Sequence, residues 1–97
     1  MIALEECVSP HVAMLQRDHV RLVWRSPCRA VVLERVRPVA WTCWCRATVY
    51  ELCVGGGRAF LRRTVQLDGK HEIHETSCMP ISEARVTWTA LLSGRTR

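Results

Sequence analysis

Thiols and imidazoles are the side chains of this sequence best suited to chemistry. Cys43-x-Cys45 is followed by His71-x-x-His74-x-x-x-Cys78, so five residues of the types that ligate zinc fall within a window of 36 residues. The two thiols of a Cys-x-Cys pair on a strand point to one face, whereas His71 and His74 could converge only if their strand were irregular. Structural zinc sites more often set their paired ligands two to four residues apart on a turn, and no second pair with that spacing follows. The competing reading is of ordinary buried thiols beside edge histidines.

Catalysis has less to draw on. His71-Glu72-Ile73-His74 has one residue between Glu and the second His where the metalloprotease motif needs two, and it sits on an expected strand rather than a helix. Cys78 with His74 is a local thiol and imidazole pair, and Glu72 and Glu75 read as solvated edge charges. Gly55-Gly56-Gly57 would suit a phosphate loop only with a helix N-terminus behind it, and here a strand follows. The expectation is a protein that is not an enzyme and needs no cofactor.

Fourteen Lys and Arg against nine Asp and Glu give a net charge of +5, and Lys70 is the single lysine. Arginine's planar fork suits phosphate and carboxylate, so Arg58, Arg62 and Arg63, joined by Arg46 and Lys70, form a candidate surface for nucleic acid or another anionic partner. Trp24, Trp41 and Trp44 could stack on bases or on a partner's apolar surface, or could serve the core. The balance of charge by itself speaks only to solubility.

Ninety-seven residues suffice for one small core and not for two. The segment MIALEECVSPHVAML carries two acids where a secretory leader needs basic residues, and no stretch is long and apolar enough to span a bilayer. A cytoplasmic chain with reduced cysteines and no membrane partner is expected.

The elements that must hold these side chains are clearest in the second half. Thr48 to Val54 is apolar on both faces, as a central strand should be, and the glycine triplet turns it into Arg58 to Leu67. There Ala59, Leu61, Val65 and Leu67, with Arg63 among them, form the expected core face, while Phe60, Arg62, Thr64 and Gln66 point the other way. Asp68-Gly69 is a hairpin signal, and Lys70 to Thr76 returns as a polar edge strand. A helix opens near Pro80, with Ile81, Ala84, Trp88, Leu91 and Leu92 on one stripe and Gly94 as its stop.

The first half is less regular. Ser9-Pro10 is an N-cap and first-turn pair, which predicts a short helix from Pro10 to about Arg17. Val20, Leu22 and Trp24 alternate as a strand would, Cys28 to Arg37 reads as a strand ending at Pro38, and Val39 to Cys45 as a short strand or wide loop.

A meander followed by a helix is a scaffold that nucleic-acid binders use, among them the double-stranded-RNA-binding domain and the arm domains of phage-type integrases. The run from Ser82 through Trp88 resembles the C-terminal helix of the latter, and such likeness of topology assigns no function. A broader resemblance covers residues 38–97. TVYELCVGGGRAFLRRT, the His-Glu-Thr of residues 74–76 and WTALLSGRTR resemble small actinobacterial proteins found on mobile elements. That resemblance implies a core beginning near Trp41 and implies no activity.

The sequence thus predicts an α+β fold. A three- to five-stranded antiparallel meander carries a C-terminal amphipathic helix over residues 38–97, with an N-terminal extension of helix and strand over 1–37. The function expected is a non-catalytic binding or accessory module acting on a protein partner or as a homo-oligomer. The alternatives are a nucleic-acid binder using the arginine hairpin and a small zinc protein.

Overall fold

The computed structural model describes residues 7–27 and 35–97. Four strands form an antiparallel meander in the order β1-β2-β3-β4: β1 (Arg37–Trp41), β2 (Thr48–Gly55), β3 (Arg58–Leu67) and β4 (Lys70–Glu75). A two-residue strand, β5 (Met79–Pro80), pairs with the start of β3, and helix α1 (Ile81–Leu92) follows directly.

Both hairpin bends follow from backbone chemistry. The β2 to β3 turn runs through Gly56 and Gly57 at φ of 57° and 76°, and the β3 to β4 turn through Asp68 and Gly69 at 47° and 78°. Two successive positive φ values match the right-handed twist of the flanking strands, and glycine and aspartate adopt them at little cost. These turns fix the register, with Leu52 opposite Leu61 and Thr64 opposite Ile73.

The core lies between the sheet and α1. Tyr50 and Leu52 of β2 and Ala59 and Leu61 of β3 meet Ala84, Trp88 and Leu91 of the helix, with Ile81, Leu92 and Val12 packed around them. The expected stripe of α1 is therefore the one that docks. On the opposite face of the sheet Val49, Cys53, Phe60 and Thr64 are buried too, which explains why β2 is apolar on both sides. Ile73, the one aliphatic residue of β4, is exposed, so that strand is an edge held by its hydrogen bonds and not by burial.

The helix expected over residues 10–17 is absent. Residues 10–16 form neither helix nor strand, and backbone donors of this segment bond to the end of α1 rather than to their own preceding turn. Ala13 N–H donates to Leu92 O at 2.8 Å, Gln16 N–H to Gly94 O at 2.9 Å and Val20 N–H to Arg95 O at 3.0 Å. Further along, Val20 bridges Thr96 and Arg25 bridges Glu75, as isolated pairs and not as a strand. Tertiary partners thus overrode the local capping signal of Ser9-Pro10. Residues 7–27 form a strap, and Leu22 and Trp24 pack from it onto the core. Most of the strand expected over 28–37 lies outside the described residues, and its last residue begins β1.

Gly94 joins helix to strap. Its φ is +81°, Gly94 N–H donates to Leu91 O, and Arg95 N–H reaches back to Ala90 O. This is the left-handed termination that glycine serves best. A Cβ at this position would also run into the carbonyl of Met14. Gly94→Ala is therefore expected to lower stability by about 2 to 3 kcal/mol. Chemical denaturation checks this, and hydrogen exchange should show Ala13 and Gln16 losing protection first.

Candidate metal centre

The connection from β1 to β2 is a turn at Trp44-Cys45, with Arg46 N–H reaching Cys43 O at 3.5 Å. It is anchored to β2 by Thr42, whose N–H donates to Tyr50 O at 2.9 Å and whose Oγ1 accepts from Tyr50 N–H at 2.9 Å. Cys43 and Cys45 therefore leave a turn rather than a strand. The strap is pinned to the same turn by Cys43 N–H donating to Pro10 O at 2.9 Å. That one bond lays Cys7 and His11 alongside the two turn cysteines.

The result is a four-residue cluster, Cys7, His11, Cys43 and Cys45, whose potential ligand atoms all lie within 4.8 Å of one another. Cys7 Sγ is 3.7 Å from Cys45 Sγ, and His11 Nε2 is 3.2 Å from the same sulfur. In a tetrahedral zinc site with Zn–S bonds of about 2.3 Å, neighbouring sulfurs stand about 3.8 Å apart. The cluster is close to that size, and closing it on a metal needs its widest pair to contract by only about 1 Å. The donor set of three thiols and one imidazole is a common structural zinc set.

The thiols already share protons unequally. Cys43 is drawn down to about 6, first by the backbone N–H of Cys45, then by the side chains of Cys45, Cys7 and His11. Cys7 is pushed up to about 11, since its own hydrogen is held in bonds to Cys43 and Cys45. A thiolate at Cys43 is the form that metal binding requires. Cys53 differs from these two in cause: buried in the sheet, its thiol is pushed up to about 11 chiefly by desolvation.

Of the five metal-ligand candidates read from the sequence, Cys43 and Cys45 stand in this cluster and the other three do not. On β4, His71 lies opposite Gln66 and is exposed, while His74 lies opposite Arg63 on the other face of the strand. The Nδ1 of His74 is buried with no hydrogen-bond partner among the described residues. Cys78 lies between β4 and β5, its carbonyl facing Arg58 Nη2 at 3.5 Å. The strand is regular, so histidines three apart diverge. Cys7 and His11 were missed. Their own signal, a Cys-x-x-x-His spacing, lay beneath the helix-start reading of Ser9-Pro10.

The five candidate cations occupy separate places. Arg58 and Lys70 follow turns at opposite ends of β3, and Arg46 sits in the turn beside the cysteines. Arg62 pairs with Glu75 at 3.1 Å and Glu51 at 3.7 Å, and its guanidinium lies 5.6 Å from the Phe60 ring centre. Arg63, its neighbour, faces the other side and stacks 4.7 Å over Trp24. Trp24 is itself fixed by its Nε1–H donating to Arg97 O at 3.0 Å and by contact with Tyr50. Trp41 and Trp44 are half exposed.

Comparison with family models, curated proteins and solved structures gave no match. No helix among the described residues is long and apolar enough to cross a membrane.

Proposed function

We propose that this protein is a small non-catalytic binding module whose N-terminal strap is stapled to the sheet by zinc. The observation that carries the reading is the convergence of Cys7, His11, Cys43 and Cys45 to within 4.8 Å from two segments far apart in sequence. Four protein ligands fill a tetrahedral shell and leave no position for a substrate, which favours a structural role over a hydrolytic one. When bound, the metal would cross-link residues 7–11 to 43–45; the residues themselves supply three sulfurs and one ring nitrogen. Nucleic-acid binding through the β3 arginines draws less support, because Arg62 is engaged by two carboxylates and Arg63 by Trp24.

Protein purified without chelator is expected to contain about one zinc per chain, as measured by atomic emission. Chelation should release it together with thiols that react with a disulfide reagent. Less than about one zinc per five chains, with added zinc not retained through gel filtration, would remove the reading.

A further inference from the structure

Beside the cysteine cluster, under the strap, lies a cavity of about 300 Å³ walled by His11, Val12, Thr42, Arg46, Ala47, Thr48, Tyr50 and Arg97. We infer that this cavity is a binding site for a carboxylate carried on a short apolar body. Its volume is at the lower end of those that take small organic ligands.

The wall carries basic and hydroxyl-bearing residues and no acidic side chain. Arg46 and Arg97 stand there with His11, Thr42, Thr48 and Tyr50. Tyr50 is only 5% exposed, and its backbone N–H is held by Thr42 Oγ1. Arg97 is tethered through Nη2 to Ala13 O at 2.9 Å, yet its Nε is buried without a partner among the described residues. A guanidinium with a buried, unbonded N–H costs stability unless an acceptor completes it. The main-chain oxygen of Arg97 is already taken by Trp24 Nε1. An incoming carboxylate would accept from the arginines and the phenol in charge-assisted bonds. Val12, Ala47 and the Tyr50 ring leave an apolar wall, which suits a hydrocarbon body better than phosphate.

His11 belongs to both sites. Its Nε2 faces Cys45, and zinc-bound histidines commonly donate their second ring nitrogen to a carboxylate. This last link rests on the zinc reading, whereas the pocket does not.

The test is an NMR titration of the full chain at constant ionic strength, with zinc content measured on the same sample. The probes are benzoate, butyrate, a short peptide ending in a leucine carboxylate, and inorganic phosphate. Saturable shifts of Thr48, Tyr50 and the Arg97 side chain with a carboxylate are expected. Benzoate or butyrate binding tighter than the peptide marks a free small acid, and the reverse marks a chain terminus. Arg46→Gln should weaken binding about tenfold with zinc content unchanged. Arg97→Gln should do the same where circular dichroism shows it folded. No saturable carboxylate shift up to about 20 mM, preference for phosphate, or equal affinity in Arg46→Gln would overturn the site. Because zinc is read separately, a metal-free protein that binds benzoate sinks only the metal reading.

Discussion

Cys43→Ser is expected to lower the melting temperature by about 15 to 25 °C and to abolish zinc retention, while Cys78→Ser changes neither. The magnitude follows from the loop that the metal would close. A cross-link between the Cys7/His11 pair and the Cys43/Cys45 pair encloses a little over thirty residues, and constraining such a loop in the unfolded chain is worth about 3 to 4 kcal/mol. In a domain of this size each kcal/mol corresponds to about 4 to 8 °C. The other anchors of the strap's first half are Cys43 N–H to Pro10 O, three backbone bonds to the end of α1, and the side-chain bonds of Gln16 to Ser93 O and of Arg97 to Ala13 O. Hydrogen exchange should therefore find Ala13 and Val20 exposed in the serine variant while β2 and β3 stay protected. Chelation of the unmodified protein should reproduce the variant's melting curve. A chelated protein that melts where the loaded one does would mean that the four side chains meet without a metal to hold them.

What could be read beforehand divides along physical lines. The two hairpins were legible because consecutive positive φ angles demand glycine or a residue such as Asp68, and few other residues meet that demand. The docked stripe of α1 was legible because Trp88, Leu91 and Ala84 fall at helical spacing and nothing else competes for that face. Residues 10–17 were not. Their backbone donors are satisfied by Leu92 and Gly94, about eighty residues away, and no local pattern encodes such partners. The metal candidates split for the same reason. Cys43 and Cys45 are neighbours whose meeting is local, but their second pair arrives through Pro10, whose usual place in a first helical turn disguised it. Arg62 and Arg63 looked like a patch because they are adjacent, and adjacency on a strand is what sends them to opposite faces.

Trp88→Ala is expected to cost about 3 to 5 kcal/mol in chemical denaturation, a large part of the stability of a domain this small. Trp88 is 8% exposed and stands in one cluster with Tyr50, Leu52, Ala59, Leu61, Ala84 and Leu91, so truncation leaves a cavity that short elements can refill only partly. Val86→Ala, on the solvent side of the same helix, should change stability by less than about 0.5 kcal/mol. The consequence reaches the cysteine cluster. Because the strap bonds to Leu92, Gly94 and Arg95, loosening α1 removes the rail on which Cys7 and His11 are carried to Cys43 and Cys45. Trp88→Ala should therefore also weaken zinc retention in competition with a chelator, whereas Cys43→Ser should leave the near-ultraviolet signal of the docked tryptophan in place. The coupling runs one way because the helix is buried against the sheet directly, while the first half of the strap takes most of its backbone bonds from residues 92–95. Equal zinc affinity in a destabilised Trp88→Ala would show that the turn at Cys43 holds the strap unaided.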